Sequence, residues 1–252
     1  MRVYSRAIAL LLLAVCSSQS VAGSIGTEEG LAPAPLSLSL PPGINRLELT
    51  SGQIAVTDSG GPTALFFSLF AEEFSPFVHA GIIVMEEGEA MVYESFGVFQ
   101  MTFGGRPTDY ISGKVSRTPL ATFVRRGKYV KIYHPPPAAD PQKIAAFAVE
   151  HFRRETPFDP YFRFGEHHSF YCTELVALAV EAAGGAPSVL EPFPNNPSLN
   201  KVRQWLGITD SGTVQARQFM RPERLVGTLS VVSSQSRFPV LSTFNTHPSR
   251  KL

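Results

Sequence analysis

The stretch Ser169-Phe170-Tyr171-Cys172-Thr173-Glu174-Leu175-Val176-Ala177-Leu178-Ala179-Val180-Glu181-Ala182-Ala183-Gly184-Gly185 constrains this chain more than any other. Leu175, Val176, Leu178, Ala179, Val180 and Ala182 leave almost no polar face, so the segment predicts a buried central helix. Ser169 is the expected N-cap and Gly184-Gly185 the expected stop. Cys172 then falls in the first turn, among unpaired N–H groups and partial positive charge. That environment favours the thiolate, and the same N–H groups suit a developing oxyanion. The plainer reading is packing, because free cysteine is among the most buried residue types. The helix alone favours packing, and a reactive Cys172 needs a base beside it.

The start of the chain changes that balance. Met1 to Arg6 is basic, Ala7 to Val15 is apolar, and Ser17 to Ser24 is rich in small residues. This is the order of a secretory signal, expected to span 1–22 with cleavage after Ala22. A second reading takes Leu13-Ala14-Val15-Cys16 as a bacterial lipoprotein signal that lipidates Cys16, although Val15 fits poorly before that cysteine. Either way the expectation is export, to a bacterial periplasm, with membrane attachment only if Cys16 is lipidated. Cys16 and Cys172 are the two cysteines of the 252 residues. Removal or acylation of Cys16 leaves Cys172 unpaired in an oxidising compartment, where a leftover thiol points to reactivity. The catalytic and packing readings are then evenly matched.

A formal net charge of +1 supplies no basic stripe for nucleic acid and no strong field of either sign. Residues 23–44, with Ala32-Pro33-Ala34-Pro35, read as a poorly ordered linker, residues 45–232 as one folded domain, and residues 233–252 as a polar tail. Gln53 to Val56 is strand-like, and Ala64 to Phe70 fits helix or strand. The strongest sheet signal is a hairpin: His79 to Met85 out, Glu86-Glu87-Gly88-Glu89 as the turn, Ala90 to Glu94 back. Phe96 to Phe103 extends it, Gly104 to Thr118 reads as loop, and Tyr129 to Tyr133 alternates as a strand. Asp140 caps a helix with Pro141 at its first position and Ile144, Phe147, Ala148, His151 and Phe152 on one face. Ser198 to Trp205 reads as a short helix and Leu229 to Val232 as a closing strand. Strands followed by helices predict an α+β domain.

Of six histidines, His247 lies in the tail, His134 precedes three prolines, and His151 sits on an apolar helix face. His167 and His168 are close to Cys172 in sequence, which does not place them beside the sulfur. His79 opens the hairpin, and a turn near Glu87 returns Glu94 to its side. Gly81, without a side chain, would admit a neighbouring helix closely. A carboxylate there can orient the imidazole of a cysteine nucleophile. Spacing alone favours the plainer reading, a solvated His and Glu at sheet ends.

Taken together, these segments resemble a known group. Val78-His79-Ala80-Gly81-Ile82-Ile83, Val92-Tyr93-Glu94-Ser95-Phe96-Gly97-Val98, Pro157-Phe158-Asp159-Pro160-Tyr161-Phe162 and Phe170-Tyr171-Cys172-Thr173-Glu174-Leu175-Val176 resemble the motifs of the permuted NlpC/P60 papain-like proteins, YiiX/YaeF-like group. Gly52-Gln53-Ile54-Ala55-Val56 resembles that group's opening Gly-Asp-Ile strand, with Gln53 in place of the acidic residue, and Thr173 stands where the group has serine. The likeness runs from about Gly52 to Val232 in the permuted order His, Glu, Cys. It implies a circularly permuted papain-like α+β fold, with a small antiparallel sheet on a central cysteine-bearing helix. It implies Cys172 as nucleophile, His79 as base and acid, Glu94 as orienting group, and no metal or organic cofactor. Asp159, Tyr161 and Tyr171 would bind substrate or shape the cleft. The activity implied is that of a cysteine amidase or peptidase on a peptide or amide substrate. Acyl transfer or lipid deacylation, as in lecithin:retinol acyltransferase-like relatives, and an inactive binding module are the alternatives.

Overall fold

The computed structural model describes residues 36–58, 75–99, 111–127, 129–165 and 168–231. The expected signal segment, the Ala64 to Phe70 segment and the polar tail lie outside them. The strands are β1 (Leu36–Ser39), β2 (Ile54–Thr57), β3 (His79–Glu86), β4 (Glu89–Phe99), β5 (Ile111–Pro119), β6 (Tyr129–Tyr133), β7 (Glu191–Pro192), β8 (Gly212–Thr213) and β9 (Leu225–Val231). The helices are α1 (Leu120–Arg126), α2 (Pro141–Arg153), α3 (Cys172–Ala182) and α4 (Pro197–Leu206). Seven strands form one antiparallel sheet in the order β1-β9-β6-β2-β3-β4-β5, and β7 pairs with β8 apart from it. The architecture is α+β, with a sheet larger than the small one expected.

Strand periodicity divides the core into two layers. On one face Ile54, Val56, Ala80, Ile82 and Tyr93 pack against Ile144 of α2 and Val176, Ala177 and Val180 of α3. On the other, Ala55, Ile83, Val92, Val130 and Ile132 pack against Leu120, Phe123 and Val124 of α1. Strands covered on both faces read as unbroken apolar runs, which is why β2 and β3 stand out in the sequence. The β3–β4 hairpin closes through Glu87 and Gly88, at φ 50° and 86°. A two-residue turn with both central residues at positive φ matches the right-handed twist of its strands.

Local signals place the helices. Asp140 accepts the N–H of Gln142, with Pro141 in the first turn of α2. Gly52, just before β2, sits at φ 88° where a Cβ would lie 2.2 Å from the Pro141 carbonyl oxygen, so only a glycine lets the chain pass the start of α2 this closely. Buried Gln53 donates to the Glu48 carbonyl at 2.9 Å and accepts from the Thr50 N–H at 3.1 Å. Its departure from the acidic residue of the resembled motif is therefore structural.

Several expectations are corrected. Residues 111–118, read as part of a loop, lie in β5, which pairs with β4 along nine positions from Phe99↔Ile111 to Met91↔Pro119. Edge pairing, rather than apolar alternation, holds a strand as polar as Ile-Ser-Gly-Lys-Val-Ser-Arg-Thr-Pro. Helix α1 follows directly, burying Leu120, Phe123 and Val124. Leu36–Ser39, placed in the linker, pairs with β9. Ser169 is not the N-cap: Phe170 donates its N–H to the Pro157 carbonyl, and its own carbonyl accepts the Asp159 N–H. That bridge holds Phe170 alongside Phe158 and delays the helix to Cys172, with Tyr171 at the cap.

Candidate active site

The late start of α3 makes Cys172 its first residue, so its N–H has no intrahelical acceptor. The residues on either side of Cys172 are fixed. The Thr173 hydroxyl donates to the Val214 carbonyl at 2.7 Å, and the Val214 N–H donates to the Tyr171 hydroxyl oxygen at 3.1 Å. Glu174 accepts the N–H groups of Gly165 (2.9 Å) and Tyr171 (3.3 Å). The Ser95 hydroxyl donates to the Phe170 carbonyl at 2.5 Å. Cys172 is half-buried and unpaired, with its sulfur 3.8 Å from the Val78 carbonyl oxygen at the start of β3.

His79 begins β3, and its Nε2 lies 2.6 Å from Glu94 Oε2. The hairpin register produces this contact. Gly81 is the residue opposite Glu94, following from the Ile82↔Tyr93 pair. His79 is thus Glu94's diagonal neighbour on the same face, within reach of a long side chain. Gly81 leaves the space: a Cβ there would lie 2.6 Å from Val92 Cγ1 and 3.3 Å from Glu94 Cβ. The close approach made possible by Gly81 is therefore by β4 side chains, not by a helix. With Nε2 committed to Glu94, Nδ1 is the ring nitrogen left to serve Cys172, whose charge acts on the ring. Glu94 is wholly buried and fully bonded. Its other oxygen accepts from Thr118 Oγ1 at 3.0 Å and from the Arg126 guanidinium. Phe96 and Phe123 flank the imidazole, each 5.9 Å away between ring centroids.

The charges reinforce one another. Burial pushes the Cys172 thiol up. The His79 charge, its hydrogen bond to the sulfur, and the N–H groups of Ala80 and Thr173 outweigh this and hold it below the ordinary thiol value. Burial pushes the His79 ring down, but the Cys172 charge and hydrogen bond, followed by Glu94, carry it up. Burial pushes Glu94 up, while its bonds to His79 and Arg126 hold it below the usual carboxylate range. Each of the three groups is thus shifted towards its charged form by its neighbours. An anionic sulfur at a helix N-terminus is a nucleophile, the imidazolium is a proton donor, and the free Cys172 N–H is a donor for an oxyanion.

The other anticipated residues have structural environments. Tyr171 is 1 % exposed and packs on Phe162 at 5.2 Å. Asp159, 3 % exposed, accepts the N–H groups of Tyr161 (2.9 Å) and Arg163 (2.5 Å), which shapes the loop before the nucleophile. Tyr161 lies under the Arg163 guanidinium at 4.9 Å. His151 is half-buried, its Nδ1 2.9 Å from Thr156 Oγ1 and its ring 4.4 Å from Phe147 and, edge-on, 4.7 Å from Phe170. Thr118, Arg126 and Glu174 were not singled out from the sequence. Leu120, Phe123 and Val124 at i, i+3, i+4 before Gly127 were the available signal for α1 and hence for Arg126. Among the described residues, no group of three or more His, Cys, Asp or Glu side chains is arranged to hold a metal ion.

Comparison with known proteins gives a structural likeness only. No protein-family profile matches the chain, and no curated protein matches it in sequence. The crystal structure of the metalloprotein YiiX from Escherichia coli O157:H7 matches with a TM-score of 0.53 and 18% identity, covering 71% of this chain and 95% of that one. At that identity the likeness carries the fold: this chain is an α+β domain similar in architecture to YiiX.

Proposed function

We propose that this chain is a permuted papain-like cysteine hydrolase that cleaves amide or peptide bonds through Cys172, His79 and Glu94. The observation that carries the reading is the placing of His79: its Nε2 is 2.6 Å from Glu94, and the Cys172 sulfur, at the first residue of α3, lies 3.8 Å from the carbonyl oxygen of Val78, the residue just before His79. The YiiX-like architecture and the sequence motifs support it.

The Cys172 thiolate attacks the substrate carbonyl carbon, and the oxyanion takes the N–H of Cys172. The C–N bond breaks as His79 gives its proton to the departing amine, leaving a thioester. Neutral His79 takes a proton from water, the hydroxide attacks the thioester, and a carboxylic acid leaves as the thiolate re-forms. Glu94 holds the ring throughout and stabilises its cationic form. The N-terminal segment supports an exported site of action, where cell-wall peptide is a candidate substrate.

Trapping of the acyl-enzyme tests the proposal. The protein is mixed with peptide amides and, in parallel, with fatty acyl esters and thioesters, then analysed by intact mass. An adduct of acyl mass from peptide amides, released by hydroxylamine and absent in Cys172→Ala and His79→Ala, is expected. Adducts from fatty acyl donors alone would replace the amidase reading with acyl transfer or deacylation. No adduct with any donor would leave a binding module.

A further inference from the structure

The buried Glu94 carboxylate faces two cations. From β3 comes His79, and from the last turn of α1 comes Arg126, whose side chain is 33 % exposed. Thr118 of β5 adds a neutral donor at 3.0 Å. The other charge of the site is Cys172 of α3. Arg126 does more than touch Glu94: its guanidinium carbon lies 4.9 Å from the Phe96 ring and 5.2 Å from the Phe123 ring. These are the two rings that flank His79. Imidazolium and guanidinium therefore share one pair of aromatic walls, with the carboxylate between them. Aromatic faces attract both cations and keep water from the carboxylate. In such a place a lone carboxylate would take up a proton. A neutral carboxyl would no longer stabilise the imidazolium.

We propose that Arg126 is a positioning residue of the site: seated on Phe96 and Phe123, it holds Glu94 charged and aimed at His79, so that the working unit is Cys172–His79–Glu94–Arg126. This rests on the thiolate chemistry proposed above. Loss of the guanidinium acts on the sulfur in one direction. If Glu94 stays ionised, an uncompensated negative charge opposes the thiolate. If Glu94 is protonated, the imidazolium that supports the thiolate is weakened. Both move thiolate formation to higher pH.

The test is the pH dependence of Cys172 alkylation by iodoacetamide, read by intact mass with a thermal melt beside it. Arg126→Met, which keeps an apolar stem against the rings, should move the alkylation inflection up by roughly one pH unit, about ten-fold in rate on its low-pH side. Arg126→Lys should recover part of the shift, since a point charge replaces a planar fork. Arg125→Gln, an equal charge change at an exposed neighbour, should leave the profile unchanged. An Arg126→Met protein with a lower melting temperature but the wild-type inflection would show a merely structural residue and overturn the proposal. If Arg126→Met does not fold, the comparison is Glu94→Gln with Glu94→Gln/Arg126→Met. With no carboxylate to hold, Arg126→Met should add no further shift, and an added shift would overturn the proposal. A wild-type thiol insensitive to His79→Ala would instead refute the underlying thiolate–imidazolium reading.

Discussion

Gly81→Ala probes the packing that lets Glu94 reach His79, and the sign of its effect is informative. A glycine inside a strand costs roughly 0.5–1 kcal/mol relative to alanine, so with room available the substitution would stabilise the protein. The structure leaves no room. The new Cβ would lie 2.6 Å from Val92 Cγ1, 3.0 Å from the Tyr93 carbonyl oxygen and 3.3 Å from Glu94 Cβ. Val92 is fully buried and stiff at χ1, and the Tyr93 oxygen is backbone, so neither yields cheaply. Overpacking of this kind costs about 1–3 kcal/mol. Less the propensity gain, the net loss runs up to about 2.5 kcal/mol, a fall in Tm of up to roughly 10 °C for a domain of this size. The second consequence falls on the site. Pushing Glu94 by a few tenths of an ångström strains its 2.6 Å contact with His79. Alkylation of Cys172 at pH 6 should slow roughly three- to ten-fold, the effect of half to one pH unit on the thiol. Differential scanning fluorimetry and intact-mass kinetics on the same preparation read both effects. A variant that melts at or above the wild-type temperature, with unchanged alkylation, would refute the packing argument.

Other expectations follow from single contacts. Glu94→Gln removes a charge-assisted bond worth about 1.5–3 kcal/mol, so the His79 proton should be lost one to two pH units earlier; a proton NMR titration of the ring would read it. Thr173→Val strands the Val214 carbonyl and should cost about 1–3 kcal/mol in urea unfolding, whereas Thr173→Ser keeps the 2.7 Å bond and most of the stability. Burial first, then the charges of Asp159 and Asp210, raise Glu174 to about 8 despite its bonds to Gly165 and Tyr171. A raised folded-state pKa gives stability that is present below about pH 4.5 and lost as pH rises to about 8. Unfolding free energies across that window should therefore fall in the wild type and flatten in Glu174→Gln, whatever its absolute stability.

How much could be read beforehand depended on where the information lay. The hairpin, α2 and the apolar body of α3 were legible because burial on a face writes a period into the sequence. A turn near Glu87 was enough to bring His79 and Glu94 to the same end of the hairpin, but spacing alone favoured a solvated pair there, and the burial of Glu94 against Thr118 and Arg126 was not legible. β5 left no such trace: its backbone pairs with β4 while its side chains are half polar. The start of α3 was misplaced by two residues because Phe170 is held by Pro157 and Asp159, contacts that no local rule at Ser169 contains. Arg126 was hidden for a related reason. Its role comes from a helix folding back so that an arginine reaches a carboxylate 32 residues earlier in the chain. Long-range polar contacts have no period, and they are where this site was least visible.

The central claim is that Cys172 is a thiolate because His79 is beside it. The most direct measurement is the rate of Cys172 alkylation by iodoacetamide against pH, in wild type and His79→Ala. An ordinary thiol titrates near pH 8.5. The wild-type inflection should lie well below that value, with fast labelling persisting through neutral pH, and return towards the ordinary value in His79→Ala. Coincident profiles, both inflecting near the ordinary value, would contradict it.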